Sequence, residues 1–289
     1  MLAVVGTGRM GAAMVGTLRR AGEPVTVFNR TASRADEVAS AFGAAVADTA
    51  AEAASVARAV LVSLADDAAA QSVYSGPDGL VSGLRAGSVV VETSTLSPAT
   101  VRKLAGDVAA AGAALLDAPV SGSVPLVERG ELTFMVGGDA DALDRVRPVL
   151  DILGKQVFHL GEPGAGATMK LAVNAALHGL NQALAEALVL AEKSGIDRRA
   201  AYEVFASSAL AAPFVHYKRA AYEHPGEQPA AFTLELVAKD LALAADLATQ
   251  VGAGMSQLAA NREVVAAALA AGLGEADMSA LAVLLRGHR

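Results

Sequence analysis

The stretch Leu2-Ala3-Val4-Val5-Gly6-Thr7-Gly8-Arg9-Met10-Gly11-Ala12-Ala13-Met14-Val15-Gly16-Thr17-Leu18 decides the fold. A short apolar run predicts a strand, the following Ala/Met/Leu spacing predicts a helix, and Gly6, Gly8 and Gly11 join the two. In that context each glycine has a job. The first permits the tight turn, the second lets backbone approach a pyrophosphate, and the third lets helix and strand pack closely with the helix N-terminus facing the anion. Gly6, Thr7, Gly8, Arg9, Met10 and Gly11 are therefore candidate dinucleotide-binding residues.

The next strand selects the dinucleotide. Val25 to Phe28 reads as that strand, and at its end, where a binder of the ribose 2′-hydroxyl carries Asp or Glu, stand Asn29, Arg30 and Thr31. No carboxylate there repels a 2′-phosphate, Arg30 can fork onto phosphate oxygens, and Asn29, Thr31 and Ser33 can add hydrogen bonds. The expected cofactor is NADP (as NADPH) rather than NAD. The competing structural account is that Asn-Arg-Thr turns the chain and Asn29 caps the next helix.

Through about residue 160, apolar runs alternate with helical patterns: Ala59 to Leu64, Ser88 to Val91, Ala114 to Val120, Leu132 to Val136 and Gln156 to Leu160. Such alternation predicts βαβ units around a parallel sheet. Ligands bind outside the carboxyl ends of such strands, so Ser63 to Asp66 (with Leu64 and Ala65) and Glu92 to Thr95 join the glycine loop and Asn29 to Thr31 on one cofactor face. After Gly161-Glu162-Pro163-Gly164 the pattern becomes wholly helical. Ala167 to Lys193 predicts one long helix crossing between domains, Asp197 caps another, and further helices follow around Ala230 to Val251, Gln257 to Leu269 and Ser279 to Leu285. The expected architecture is α/β: a Rossmann domain over residues 1–161, then an all-helical domain over 162–289.

Composition narrows the classes. The 289 residues are 53% hydrophobic and 4% aromatic without Trp, so small aliphatic side chains must build closely packed helical cores. The absence of Cys excludes disulfides, thiolate metal sites and a cysteine nucleophile, and fits a reducing, cytoplasmic setting. A net charge of −7 with no basic block argues against nucleic acid or an anionic membrane as partner. No apolar run approaches the roughly 20 residues of a membrane helix. His159, His216, His224 and His288 lack metal-ligand spacing, so no metal is expected. Gly-x-Ser-x-Gly and Walker signatures are missing, which removes support for hydrolase and NTP-hydrolysing readings.

The chemistry concentrates in two places. Lys170, Asn174, His178 and Asn181 share one stripe of the long helix. This is either a site, with a lysine ammonium donating a proton to oxygen as hydride reaches carbon, or a solvated helix face. Ser121, Gly122 and Ser123 follow a strand and precede a loop over Val124 to Gly130. They are either a small cradle for a carboxylate or a serine-rich turn. Thr93, Ser94 and Thr95 look like a helix cap before Pro98, with Thr95 also at a strand end. Lys239-Asp240 reads by default as a solvated pair.

Taken in order, Gly6 to Gly11, Glu92-Thr93-Ser94-Thr95-Leu96-Ser97-Pro98, Asp117-Ala118-Pro119-Val120-Ser121-Gly122, Gly164 to Lys170 through Asn174, and Lys239-Asp240-Leu241 make nearly the whole chain resemble the β-hydroxyacid dehydrogenase family. That family has a 6-phosphogluconate dehydrogenase-like helical domain. The resemblance implies Lys170 as acid/base, Asn174 as its assistant, Ser121 and Gly122 on the substrate carboxylate, and Thr95 and Lys239 bordering the nicotinamide. It also implies a homodimer or homotetramer. Ser123 departs from the family's usual glycine, and Pro125, Leu126, Glu128 and Arg129 from its small-residue loop, which leaves the substrate's identity open. The resulting expectation is hydride transfer between NADP and a small carboxylate-bearing aldehyde or β-hydroxyacid. The rivals are an imine reductase on the same architecture and a catalytically silent NADP-binding regulator.

Overall fold

The computed structural model describes residues 1–287, so His288 lies outside the described residues. The chain divides into two compact units, Met1–Lys170 and the described chain from Leu171 onward.

In the first unit the strands are β1 (Leu2–Val5), β2 (Val25–Phe28), β3 (Ala45–Val46), β4 (Ala59–Val62), β5 (Val89–Glu92), β6 (Ala114–Asp117), β7 (Val120–Ser121), β8 (Leu132–Gly137) and β9 (Gly154–Gly161). Among the described residues they form one sheet in the order β3-β2-β1-β4-β5-β6-β8-β7, with β9 paired to β8. From β3 through β6 every pairing is parallel, as alternation with helices requires. Beyond β6 the sheet is mixed, because β8 runs antiparallel to both β6 and β7 and parallel to β9. The helices are α1 (Arg9–Arg20), α2 (Ala32–Phe42), α3 (Ala50–Ser55), α4 (Asp67–Tyr74), α5 (Leu80–Gly83), α6 (Pro98–Ala110), α7 (Val124–Glu128) and α8 (Ala140–Leu153).

Side chains alternate across each strand, so the central strands feed two cores. Leu2, Val4, Val25, Val27, Leu61, Val91 and Leu116 pack on one face with Met14 and Leu18 of α1 and Val146 and Leu150 of α8. Ala3, Val5, Val60, Val62, Val90 and Leu115 pack on the other with Tyr74, Val101 and Leu104.

Helix α9 (Ala165–Lys193) is one uninterrupted helix, and the division between units falls within it. Its first turns belong with the sheet unit, where Ala167 joins the second core. The second unit continues through α10 (Arg198–Ser207), α11 (Pro213–Glu223), α12 (Leu234–Val251), α13 (Ser256–Ala270), a 3₁₀ turn at Met278–Ala280 and α14 (Leu281–Gly287). Leu171, Leu184, Leu188, Tyr202, Phe214, Tyr222, Val237, Leu241 and Val265 form its core. No helix among the described residues is long and apolar enough to cross a membrane.

Candidate active site

The glycine loop is shaped by its own backbone. Gly6 has φ +92°, and a Cβ there would meet the carbonyl oxygen of Ser63 at the end of β4. A Cβ on Gly11 would strike the carbonyl oxygen of Gly6, so helix and loop pack at a distance only glycine allows. Gly8 differs, for nothing lies within 4 Å of the position a Cβ would take. It starts α1 with no side-chain cap. Open space over an uncapped helix N-terminus is what a phosphate group fills. The buried hydroxyl of Thr7, next in the loop, has no hydrogen-bond partner. These features fit a dinucleotide.

Asn29 does not cap α2; the N-cap is Thr31, and it makes no side-chain cap bond. Instead Asn29 Oδ1 accepts from the Thr7 N–H (3.1 Å) and its Nδ2 donates to the Thr31 carbonyl (3.0 Å). The side chain thus ties the glycine loop to the loop after β2. Arg30 and Thr31 are exposed, and no carboxylate occupies the end of β2.

Beside them, β5 and β6 each close an apolar run with a carboxylate, Glu92 and Asp117, which stand opposite one another in the sheet register. Glu92 is fully buried and accepts from the Tyr74 hydroxyl (2.8 Å) and the Ser94 N–H (2.9 Å). Burial pushes its carboxyl up to about 7, against the opposing pull of those hydrogen bonds. Ser94 Oγ in turn accepts from the Leu64 N–H (2.7 Å), and Thr93 Oγ1 donates to the Val62 carbonyl (2.6 Å). Thr93 and Ser94 therefore join the ends of β4 and β5 rather than capping a helix. The N-cap of α6 is Ser97, whose hydroxyl accepts from the Thr100 N–H. Thr95 lies partly exposed at the strand end, as do Ser63 and Leu64, with Ala65 exposed.

The expected loop over Val124 to Gly130 is largely helix, since α7 occupies Val124–Glu128 with Pro125 in its first turn. Ser123 is its N-cap, without a side-chain cap bond. Gly122 has φ +143°, which a side chain rarely adopts, and with Ser121 it lies at the surface before that helix.

On α9 the polar stripe is not a solvated face. Asn174, His178 and Asn181 are 3%, 3% and 1% exposed, while Lys170 is partly exposed. Asn181 has a structural role, donating to the Met278 carbonyl and accepting from the Tyr222 hydroxyl. Asn174 Nδ2 donates to Asp240 Oδ2 at 2.6 Å. A carboxylate can only accept, so the amide must present its NH₂ to Asp240 and keep Oδ1 for another donor. Asp240 is 1% exposed, which corrects the solvated-pair expectation. Its Oδ1 lies 3.2 Å from Lys239 Nζ, and its Oδ2 3.9 Å from His178 Nε2.

The sequence placed Glu92 only within a cofactor-face segment, Asp117 only within a family motif and Asp240 only in a solvated pair, and gave none of the three a buried polar role. The available signal was a lone acid closing an apolar strand, as in VVVE and ALLD.

The doubly wound sheet and its glycine loop define a dinucleotide-binding protein. Residues 1–161 match the family model of the NAD binding domain of 6-phosphogluconate dehydrogenase, and residues 164–285 match that of the NAD-binding of NADP-dependent 3-hydroxyisobutyrate dehydrogenase. The chain is 34% identical to glyoxylate/succinic semialdehyde reductase 2, chloroplastic, of Arabidopsis thaliana, over 99% of this chain and 79% of that one. It is 37% identical to the NAD-dependent L-serine dehydrogenase of Pseudomonas aeruginosa, over 72% and 69%. Mycobacterium tuberculosis 3-hydroxyisobutyrate dehydrogenase, solved with L-serine, superposes with a TM-score of 0.84 at 32% identity over 99% of both chains. An imine reductase from Pseudomonas sp. reaches a TM-score of 0.66 at 25% identity over 98% of both. The chain belongs to the β-hydroxyacid dehydrogenase family. It is an NAD(P)-dependent oxidoreductase acting on hydroxyl or aldehyde groups.

Proposed function

We propose that the protein is an NADPH-linked reductase of small carboxylate-bearing aldehydes, or the dehydrogenase of the matching β-hydroxyacids, with residues 1–161 binding NADP and residues 162–289 serving substrate and oligomer. The nicotinamide, when bound, supplies or accepts the hydride. Lys170 exchanges the proton: in reduction the carbonyl carbon gains hydride, the C=O electron pair moves to oxygen, and that oxygen takes a proton from the ammonium. Asn174, one turn further along α9, assists through its Oδ1. Ser121 and Gly122, with Ser123, hold the substrate carboxylate, and Thr95 and Lys239 border the nicotinamide. Gly6 to Gly11 with Leu64 and Ala65 carry the dinucleotide, and Arg30, Asn29 and Thr31 hold the 2′-phosphate.

The observation that carries this reading is the burial of Asn174 against Asp240 at 2.6 Å in a helix rich in Ala and Leu. Burying an amide and a carboxylate costs several kcal/mol unless they are paired, and aliphatic residues would build the same helix without that cost. A pair retained one turn from Lys170 supports a site. The lysine favours C=O over C=N chemistry, although the Pseudomonas sp. imine reductase shares the fold.

NADPH and NADH oxidation followed separately against glyoxylate, succinic semialdehyde, methylmalonate semialdehyde and a cyclic imine test the substrate class. Lys170→Ala should remove nearly all turnover and leave NADPH binding intact; a variant that keeps most of its activity overturns the assignment. NADPH binding with no turnover of any of these compounds would favour the silent regulator. A homodimer or homotetramer in the cytoplasm is the matching expectation, read by light scattering of the purified protein and by fractionation.

A further inference from the structure

We propose that Asp117 is a positioning residue for the reaction: its buried carboxylate holds the first turn of α9, and with it the backbone that carries Lys170, in fixed register with the Ser121–Gly122 segment. The proposal rests on the reading of Lys170 and Ser121 given above.

Asp117 closes β6 and is 1% exposed. Its Oδ2 accepts from the Ala167 N–H at 2.7 Å, and the backbone N–H groups of Gly164 and Gly166 also lower the cost of its charge. Burial nonetheless raises its pKa, so this carboxylate stays in the protein at a net electrostatic cost. The first N–H groups of a helix have no partner within the helix. A carboxylate reaching in from a strand end supplies one and also suits the positive end of the helix dipole.

The packing leaves no slack around this bond. A Cβ on Gly166 would lie 2.5 Å from the Asp117 carbonyl oxygen and would strike that of Met135; a Cβ on Gly137 would strike Asp117 Oδ1. Strand β8 and helix α9 therefore close on one carboxylate at the end of β6. Ala118 and Pro119 continue the grip on the other side, since the Ala118 N–H donates to the Glu92 carbonyl (2.7 Å) and the Pro119 carbonyl accepts from the Met135 N–H (3.0 Å). Lys170 follows Ala167 by three residues, about one helical turn. Ser121 follows Asp117 by four. The same carboxylate thus spaces the proposed proton donor from the proposed carboxylate cradle, both within the sheet unit. A displacement of about 1 Å at a reacting group can cost on the order of a hundredfold in rate.

The test is a kcat, KM and cofactor-affinity comparison of the full-length enzyme with Asp117→Ala and Asp117→Asn. The asparagine oxygen can still accept from Ala167. Asp117→Ala should lower kcat at least tenfold while the NADPH Kd, read by nucleotide fluorescence, stays within twofold; Asp117→Asn should return kcat to within threefold. Should Asp117→Ala fail to fold, Ala167→Pro asks the same question from the donor side. Proline removes that N–H at the third residue of α9, where it has no partner within the helix. It should likewise lower kcat tenfold with cofactor affinity held. A folded Asp117→Ala or Ala167→Pro variant with kcat within twofold of the parent overturns the proposal, as does an equal loss in Asp117→Asn and Asp117→Ala. If Lys170→Ala is inactive while Asp117→Ala is active, only this inference fails. If Lys170→Ala is active, the reading of the site fails first.

Discussion

Asn29 Oδ1 accepts the N–H of Thr7 at 3.1 Å, so the loop after β2 and the glycine loop after β1 are joined by one side chain. An aspartate at the same place could accept that N–H equally well. It could not make the second bond, from Nδ2 to the Thr31 carbonyl at 3.0 Å, and it would put a negative charge where the proposed reading puts the 2′-phosphate. Asn29→Asp should therefore keep the fold and shift the ratio of kcat/KM for NADPH over NADH by tenfold or more toward NADH, where tenfold is about 1.4 kcal/mol. Arg30→Ala should raise the KM for NADPH and leave that for NADH unchanged. An unaltered ratio in both variants would count against NADP preference.

Asp240 tests the buried pair in the second unit. Its carboxylate takes the Asn174 NH₂ at 2.6 Å and lies 3.2 Å from Lys239 Nζ. Asp240→Ala would leave a buried amide with one fewer acceptor, a loss of about 1–3 kcal/mol in unfolding free energy measured with urea. Because Asn174 would then be free to rotate, kcat should fall together with stability. A loss of stability alone would reduce the pair to a structural role.

Glu92 gives the protein a pH signature. Burial holds its carboxyl at about 7 in the folded state against an ordinary value of 4.5, so the folded protein binds the proton more tightly than the unfolded chain. The stability this contributes is complete below the unfolded value and is lost as pH rises through about 7, a change on the order of 3 kcal/mol. Tyr74, whose hydroxyl is held protonated by burial, remains a donor throughout. Urea unfolding from pH 5 to 8 should show the parent losing stability relative to Glu92→Gln, and the difference between the two curves is the readout. Parallel curves would mean that Glu92 is ionised across the range.

Much of this fold is legible because periodicity reports burial. The runs that became β1, β2, β4 and β5 are apolar at every residue that reaches the two cores, and α9 is read almost to its ends. Strand β3 escapes, because Ala45 and Val46 are exposed and pair only at the sheet edge with β2. Helix α11 also escapes, since its sequence PFVHYKRAAYE mixes charged and aromatic residues and buries Lys218, which pairs with Asp277 at 2.7 Å. The direction of β8 is set by its pairing with β6 and β7, which no local pattern encodes. At the site, adjacent residues on a helix point about 100° apart, so the neighbours Lys239 and Asp240 give no sign that one reaches the surface and the other the interior. Asp117 and Glu92 are visible as acids ending apolar strands, but their partners at Ala167 and Tyr74 lie far along the chain.

Two glycines of one loop should separate folding from cofactor binding. A Cβ at Gly11 would strike the Gly6 carbonyl oxygen, a backbone atom that cannot move without displacing β1. Gly11→Ala should therefore destabilise the protein even without cofactor, by the 1–3 kcal/mol typical of overpacking, and weaken NADPH binding as well. At Gly8 nothing lies within 4 Å of the added methyl, and the backbone there (φ −66°, ψ −176°) suits any residue. Gly8→Ala should leave the unfolding transition of the cofactor-free protein unchanged, because no protein atom occupies that space. If the space belongs to the pyrophosphate, the same methyl should raise the NADPH Kd at least tenfold, and the Tm gain that NADPH confers on the parent should shrink in proportion. Equal NADPH affinity in Gly8→Ala and the parent would place the phosphates elsewhere and remove the glycine loop from the cofactor site.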